Sequence, residues 1–305
     1  MSLRALRTLV TIGRKGSFAA AAAKLGLTQA AVSLQMKALE EELGVELFDR
    51  SGHRPRFNAA GRQALDRAEE ILALYDELRA SVNPEGCLGG TLVLGVIPTA
   101  LTGPVPRALA LLKERFGELQ VRIRSGISDA LAPRVEEGDL DVALISEPPY
   151  AIPPHCEWRA YDEEPFYVVG PPAMGGTDDA AWFERLPFVR FDKTAWTGAM
   201  VEGHLMSRGI RPREVMELDS VEAVLSLVEQ GLGVAVVPLN WGRLEEASRR
   251  FSLLPFGEPQ LRRRVGIYEK RSHPARPVTQ FLFEALRALC RPPGAEDPPG
   301  GAPQA

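Results

Sequence analysis

Apolar and polar positions in the N-terminal part of the chain repeat with the period of short α-helices. Four apolar or small residues lie on one side of the first repeat: Leu3, Leu6, Val10 and Gly13. Because they follow a 3.6-residue period, they predict an amphipathic helix over residues 2–14. Ser17 is placed to cap a second, alanine-rich helix that ends near Leu25, and Gly26 then predicts a tight turn.

A third helix is predicted from Thr28 to about Leu43. Its inward positions recur in steps of three and four residues: Val32, Met36, Leu39 and Leu43. Its opposite edge carries polar side chains one helical turn apart: Gln29, Ser33 and Lys37. Two short helices, a glycine-containing turn and a polar-faced third helix are typical of a helix-turn-helix. The solvated face of an ordinary helical bundle is the alternative that spacing alone leaves open.

The outer edge of this third helix carries side chains suited to base edges. Gln29 can pair bidentately with adenine, and Lys37 can reach a phosphate or a guanine. Ala30 and Leu34 can contact only thymine methyl groups or sugars. These side chains therefore predict that this edge of the third helix contacts DNA.

A basic loop follows the third helix. Short apolar strands at residues 45–48 and 56–57 bracket it, which predicts a β-hairpin wing. Three arginines of this wing suit contact with the DNA backbone or the minor groove: Arg50, Arg54 and Arg56.

Residues at fixed offsets across this region form a dense, ordered set: Leu6-Arg7-Thr8-Leu9-Val10, Gly16-Ser17-Phe18-Ala19-Ala20-Ala21-Ala22, Leu25, Thr28-Gln29-Ala30-Ala31-Val32-Ser33, Gln35, Leu39-Glu40, Leu43-Gly44, Leu47-Phe48-Asp49-Arg50 and Ala60-Gly61. In this set the chain resembles the LysR-type transcriptional regulators. It departs from them at Leu34, where a polar or basic residue is common, and at Asn58-Ala59, where leucine-threonine is usual. The resemblance implies a winged helix-turn-helix DNA-binding domain over residues 1–60. The predicted DNA-binding residues are Ser17, Thr28, Gln29, Ala30, Ser33, Leu34, Lys37, Arg50, Arg54 and Arg56.

Residues 61–90 are predicted to form a linker, with a long helix to about residue 80 and then a glycine- and proline-containing hinge. The apolar positions of the helix follow three- and four-residue steps: Leu65, Ala68, Leu72, Tyr75 and Leu78. Such a stripe needs a partner, and the same helix of a second subunit would give a two-fold homodimer. Packing onto its own domain is the alternative. The resemblance also implies dimerisation, with a dimer of dimers as the usual assembly, and RNA polymerase is a further candidate partner.

From residue 91 onward, apolar runs of strand length alternate with helical patterns. Strands are predicted at residues 91–97, 119–125, 140–145, 165–170, 186–191, 215–218, 234–237 and 263–270. Such alternation predicts a parallel sheet with helices on its faces, in two similar halves. The halves resemble a periplasmic-binding-protein-like fold, which is the architecture of the LysR effector domain. Landmarks of that domain stand at Gly126, Glu137-Gly138-Asp139-Leu140-Asp141-Val142-Ala143 and Gly231-Leu232-Gly233-Val234-Ala235-Val236-Val237-Pro238.

These patterns set the expected boundaries of an effector-binding domain at residues 91–291. Subdomain I is expected at about 91–161 and 268–291, and subdomain II at about 162–267. Residues 292–305 are rich in proline, glycine and alanine, which predicts a disordered tail.

Polar and small residues near the ends of several predicted strands suggest a ligand site. Ligands in α/β sheets lie beyond the carboxyl ends of the strands, where helix starts favour anions. The predicted effector-binding residues are Thr99, Ala100, Ser128, Ser146, Thr194, Trp196 and Pro238. Simple helix capping is the alternative for each hydroxyl. Their convergence on one edge predicts a cleft for a small organic anion or an amino-acid-like effector.

The distribution of charge along the chain supports the prediction that its N-terminal part binds DNA. The chain has a net charge of −4, but residues 1–62 carry ten Lys and Arg against five Asp and Glu, a net +5. Residues 63–90 carry two against six, so the acidic balance begins at the predicted linker. A basic first fifth joined to an acidic remainder indicates a module that faces phosphates.

The remaining classes of protein are disfavoured. No uncharged stretch reaches the ~20 apolar residues of a membrane span, and no secretory signal is present. Three scattered cysteines and four single histidines give no disulfide framework or metal site, so we expect a cytoplasmic protein without a cofactor. An enzyme is the main rival, but Asp139 and Asp141 look structural and no catalytic motif is present. The missing export signal and the basic head also disfavour a solute-binding receptor.

Overall fold

The computed structural model describes residues 2–49, 55–82 and 90–290, and the chain divides into two compact units. The head unit contains the chain to about residue 87, and the α/β unit contains most of the remainder. Arg50 and Arg54, the predicted hinge and the predicted tail lie outside the described residues. Among the described residues, no helix is both long and apolar enough to cross a bilayer.

The head unit is mainly helical. Its elements are α1 (Leu3–Lys15), α2 (Phe18–Leu25), α3 (Gln29–Leu43), β1 (Phe48–Asp49), β2 (Arg56–Phe57) and α4 (Ala59–Val82). The hydroxyls of Ser2, Ser17 and Thr28 cap the first three helices by accepting from a backbone N–H at 3.2 Å. The glycine that follows each of these helices adopts the left-handed conformation that ends a helix without strain. The predicted helix-turn-helix and its hairpin are therefore confirmed.

The core of the head unit forms where the first three helices meet the hairpin. Its buried side chains include Leu6, Leu9, Val32, Met36, Leu39, Leu47, Phe48 and Ala68. The prediction that Leu43 belongs to this inward stripe is wrong, since its side chain is 44% exposed. The chain turns away at Gly44, and the buried Glu40 takes the inner position at this end of α3.

Helix α4 divides its apolar stripe between two environments. Leu65, Ala68 and Leu72 pack into the core of the head unit, as the alternative of packing onto its own domain requires. Leu78 of the same stripe is 57% exposed, and Ile71 and Leu74, which lie outside the predicted stripe, are 37% and 64% exposed. The first turns of α4 therefore pack into the core of the head unit, while an apolar surface remains exposed along the helix.

The α/β unit contains the remaining elements. The elements up to and including β6, the first strand that crosses between the two halves, are β3 (Thr91–Val96), α5 (Pro98–Leu101), α6 (Val105–Arg115), β4 (Gln120–Ser125), α7 (Ser128–Glu136), β5 (Val142–Ser146) and β6 (Cys156–Gly170). Those that follow are α8 (Asp179–Arg185), β7 (Phe188–Phe191), α9 (Trp196–Ser207), β8 (Glu214–Leu218), α10 (Val221–Glu229), β9 (Ala235–Pro238), α11 (Trp241–Arg250), β10 (Ser252–Pro255), β11 (Arg262–Lys270) and α12 (Arg276–Cys290).

The sheet is mixed, which corrects the prediction of a parallel sheet. β3 pairs in parallel with β4 and β5, and β7 pairs in parallel with β8. β11, however, runs antiparallel to β5 and β6, and β6 runs antiparallel to β9 and β10. The prediction holds for the strand–helix–strand repeats and fails for β6 and β11, because these two strands carry the chain between the halves in opposite directions.

The two crossing strands define where the halves meet. β6 pairs with β11 up to Pro165 and with β9 and β10 from Phe166 onward. Phe166 lies in the core of the second half, whereas Val265 and Ile267 lie in the core of the first. The chain therefore returns to subdomain I a few residues before the predicted position 268.

Several elements of the α/β unit have no counterpart in the sequence prediction: the first part of β6, α8, α11 and β10. Residues 156–164 of β6 carry four acidic side chains, which hides the strand pattern. Two of them are paired: the buried Glu164 with Arg263 of the neighbouring strand β11, and the partly buried Glu157 with Arg276 of α12. Charges that are neutralised by residues distant in the sequence give no local hydrophobic signal.

Candidate functional site

The outward side of α3 presents a continuous group of exposed side chains. All five residues predicted to contact DNA from this helix are exposed and share one face: Gln29, Ala30, Ser33, Leu34 and Lys37. We call them the α3 outer face. The Lys37 ammonium lies 3.9 Å from the Glu41 carboxylate, with both side chains well exposed. Such a pair is weak, so the Lys37 charge remains available to a phosphate.

Ser17 and Thr28 stand at the starts of α2 and α3. Their hydroxyls accept from the backbone N–H groups of Ala20 and Ala31. Each hydroxyl therefore keeps its own O–H for donation, beside a helix end whose partial positive charge favours an anion. The capping role and a phosphate contact are compatible at both residues.

Thr8 and Glu40 hold α3 in place. The sequence prediction did not single out either of these polar side chains for a role. The Thr8 hydroxyl of α1 donates to the amide oxygen of Gln35 at 2.7 Å. The buried Glu40 carboxylate accepts from the backbone N–H groups of Leu47 at 2.7 Å and Phe48 at 3.2 Å, which joins α3 to the hairpin. The one signal for Glu40 is its place four residues after Met36, on the buried side of the helix.

The described part of the hairpin carries one predicted DNA-contacting residue. Arg56 lies on β2 opposite Asp49 of β1, and its side chain is exposed. The rings of Phe48 and Phe57 pack with centroids 4.7 Å apart and hold the hairpin against the head unit.

A cavity opens between the two halves of the α/β unit, at the carboxyl ends of β3, β4, β5 and β7. Its space, including the part that is open to solvent, is about 410 Å³. Its lining includes four of the seven predicted effector-binding residues: Thr99, Ser128, Ser146 and Trp196. We call this cavity the cleft.

The hydroxyl groups that line the cleft are arranged to donate. Thr99 and Thr197 each accept from the guanidinium of Arg263, at 2.7 and 3.0 Å. Ser128 accepts from the backbone N–H of Ser146 at 3.1 Å. These bonds occupy lone pairs of the three oxygens, so their O–H groups are left to donate. Neither Thr99 nor Ser128 caps a helix through its hydroxyl, which removes the capping alternative for both.

Two further features of the cleft favour an anion. The Ser146 hydroxyl is buried and forms no hydrogen bond with any described residue. The helices α7 and α9 begin at the cleft, one in each half, and neither has a side-chain cap at its N-cap residues Ile127 and Ala195. Free backbone N–H groups from both halves therefore face the same space.

Arg263 connects the two halves at the base of the cleft. Its guanidinium is 4% exposed and forms an ion pair with Glu164, with nitrogen–oxygen distances of 2.6 and 2.7 Å. The same group donates to Thr99 of the first half and Thr197 of the second. Neither Arg263 nor Thr197 was predicted as a site residue, because the partners of Arg263 are 66, 99 and 164 residues away in the sequence.

Three predicted effector-binding residues do not line the cleft. Ala100 is buried in the core of the first half. Thr194 is exposed and bonds to Asp192 within its own turn, so Thr197, one turn further on, takes the place expected for it. Pro238 lines a smaller neighbouring cavity, of about 290 Å³ including the part open to solvent, which shares Phe191, Thr197 and Val221 with the cleft.

The charges around the cleft are nearly balanced. Arg263 is paired with Glu164, and the exposed Asp219 adds one carboxylate at the rim. Burial, reinforced by the neighbouring Glu164, raises the pKa of Asp162 to about 6. The acidic cluster at the crossing strands therefore depends on Arg263 for neutralisation.

Comparison with known proteins assigns both units. A family model described as "Bacterial regulatory helix-turn-helix protein, lysR family" matches residues 3–62, and one described as "LysR substrate binding domain" matches residues 86–291. The "RuBisCO operon transcriptional regulator" of Allochromatium vinosum is 31% identical over 304 residues, which span 95% of this chain and 99% of the relative.

A second relative and a solved structure agree with this assignment. The "HTH-type transcriptional regulator IlvR" of Caulobacter vibrioides is 30% identical over 257 residues, which span 82% of this chain and 87% of the relative. A full-length OxyR variant from Pseudomonas aeruginosa has a TM-score of 0.69 at 24% identity, covering 98% of this chain and 99% of that chain. At that identity, the likeness to OxyR shows the fold.

Proposed function

The chain belongs to the LysR family of DNA-binding transcriptional regulators, and from that premise we propose how it contacts DNA, assembles and responds to an effector. It is a regulator with an effector-binding domain, in a family that is not enzymatic. Because the protein acts on DNA, we place it in the cytoplasm.

The proposed DNA interface is the α3 outer face together with the helix starts and the wing. Gln29 pairs with adenine, Ser33 and Lys37 contact polar base edges or phosphates, and these side chains are exposed together. The hydroxyls of Ser17 and Thr28 donate to phosphates. Arg56, with Arg50 and Arg54 of the wing, contacts the DNA backbone or the minor groove.

The proposed assembly is a homodimer through α4, with a dimer of dimers as its larger form. Regulators of this family act as oligomers. The exposed Ile71 and Leu74 supply the apolar surface on this helix that a two-fold contact would bury. Once bound at a promoter, the assembly acts on RNA polymerase.

The proposed effector is a small organic anion in the cleft. The observation that carries this proposal is that the three hydroxyls accept from protein N–H groups, which leaves their own protons available to donate to a ligand. A carboxylate or another oxyanion is the ligand that accepts such bonds. Binding draws on groups from both halves, so the effector favours one relative arrangement of the halves, and through it one arrangement of the DNA-binding heads.

A variant of the cleft hydroxyls tests the proposed effector class. We expect that in a thermal-shift screen of small mono- and dicarboxylic acids at least one acid raises the melting temperature of the full chain. The double variant Thr99→Val/Ser128→Ala should then bind that acid at least ~10-fold more weakly, because two charge-assisted donors are lost.

The control for this variant is Thr194→Val, whose hydroxyl bonds within its own turn outside the cleft. It should bind the acid like the wild type. Full affinity in the double variant, or an equal loss in the control, would contradict the assignment of the cleft.

A further inference from the structure

Leu34 is the one large apolar side chain on the α3 outer face. Leu34 is 70% exposed, a value matched among the described large apolar residues only by Met206. Ala30 precedes it by one helical turn and Ala38 follows it by one, and both are exposed. The outer face therefore carries an apolar line with Leu34 at its centre.

The surroundings of Leu34 exclude a role in folding. The core of the head unit takes the opposite side of α3, where Val32, Met36 and Leu39 are almost fully buried. Glu41, two turns after Leu34, is exposed to solvent. A leucine that folding leaves exposed in the middle of a recognition surface gains its apolar contact only from the molecule that the surface binds.

The chemistry of the major groove limits what Leu34 can recognise. Guanine, cytosine and adenine present hydrogen-bond donors and acceptors at their edges, whereas thymine also presents the C5-methyl group. A leucine pressed against the polar groups would desolvate them without replacing their hydrogen bonds. Against a methyl group it removes two apolar surfaces from water at once.

We propose that Leu34 determines sequence specificity by packing against thymine methyl groups in the major groove. The proposal rests on the proposed function of α3 as the DNA-reading helix and names the base feature that this helix selects. Ser33 and Lys37 flank Leu34 and supply the polar contacts that fix its position over the bases. The preferred half-site therefore contains at least one thymine whose methyl group raises affinity.

Replacing thymine by deoxyuridine tests this proposal, because it removes the methyl group and leaves base pairing intact. Duplexes are first selected from a random library with the full-length wild-type chain. Each thymine of the preferred half-site is then replaced in turn, and the affinity is measured for the wild type, Leu34→Ala and Leu34→Met. At one or two positions the wild type should lose about three- to five-fold in affinity, as expected for one buried methyl group.

The variants separate Leu34 from its neighbours. Leu34→Ala should bind the thymine and deoxyuridine duplexes almost equally at those positions, whereas Leu34→Met, which keeps an apolar side chain, should retain most of the difference. Because Leu34 is exposed, neither change should unfold the head unit, and circular dichroism checks this.

Three results would overturn the proposal. Equal affinity of the wild type for every deoxyuridine duplex would show that no methyl group is read. An undiminished difference in Leu34→Ala would assign the contact to another residue, and a changed oligomeric state in place of changed discrimination would assign Leu34 to a protein contact. In each of these cases the DNA-binding function stands. Failure of the full chain to enrich any duplex overturns the proposed function as well.

Discussion

Replacing Arg263 with alanine should lower the free energy of unfolding of the α/β unit by about 3–5 kcal/mol. The substitution leaves the buried Glu164 carboxylate without its cation and removes the donors to Thr99 and Thr197. Removing one partner of a buried ion pair costs more than the pair contributes, because the remaining charge stays away from water. All four tryptophans lie beyond residue 157, so urea unfolding followed by tryptophan fluorescence reports on this unit.

The adjacent Arg264 is the matched control. Its guanidinium pairs with Glu147 at 2.7 Å, but both side chains are about half exposed, at 51% and 45%. Arg264→Ala should therefore cost no more than about 1 kcal/mol. Equal losses in the two variants would show that the burial of Arg263 is not what matters.

The effect of Arg263→Ala should also depend on pH. The pKa of Asp162 is raised to about 6 by burial and by Glu164, so the folded protein binds more protons than the unfolded chain just below that pH. A raised carboxyl pKa makes stability fall as pH rises through it. Without Arg263 the repulsion between Asp162 and Glu164 increases, so the loss should be larger at about pH 7 than at about pH 5. A loss independent of pH would contradict this account of the acidic cluster.

Replacing Gly198 with alanine should displace the start of α9 and impair both stability and effector binding. A Cβ atom at this position would lie 1.9 Å from the backbone oxygen of Asp192 and 2.9 Å from the Cα atom of Lys193. Backbone atoms cannot yield as a flexible side chain can, so we expect a loss of about 3 kcal/mol, at the upper end of overpacking costs. The shift also moves Thr197 and Trp196 from the cleft wall and should weaken effector binding by at least ~10-fold.

Gly203 of the same helix supplies the control, because among the described residues no atom outside the neighbouring backbone of its own helix lies within 4 Å of the position where its Cβ would be. Gly203→Ala should raise stability by about 0.5–1 kcal/mol, since alanine loses less backbone entropy in a helix. Urea unfolding and the thermal-shift response to the acid measure both effects. A Gly198→Ala chain as stable as the wild type would contradict the described contact with Asp192.

The head unit could be predicted almost completely from sequence because its signals are local. The caps Ser17 and Thr28 and the glycines after each helix lie next to the elements that they limit. The wing arginines could also be predicted from a local pattern, the basic loop between two short apolar strands, although only Arg56 lies within the described residues. The role of Glu40 in joining α3 to the hairpin could not be predicted from the local pattern, because its hydrogen-bond partners lie beyond the turn at Gly44.

The cleft could be predicted only in part, because its residues come together through the crossing strands. Thr99, Ser128 and Ser146 were predictable, since a strand end followed by a helix start is a local pattern. Thr194 was predicted and Thr197 was not, because the local pattern did not show that the Thr194 hydroxyl donates to Asp192 within its own turn. Arg263 had no local signal at all, because a buried arginine is explained only by Glu164 on the neighbouring strand.

The central claim, that this chain reads promoter DNA through its basic head, is tested most directly by the salt dependence of DNA binding. On a selected duplex, the affinity of the full chain should fall steeply between about 50 and 300 mM KCl, with log K linear in log salt. Lys37→Ala and Arg56→Ala should each lower the slope by about one, whereas Lys193→Ala in the α/β unit should leave it unchanged. Absence of binding at low salt, or an affinity that does not change with salt, would contradict the account.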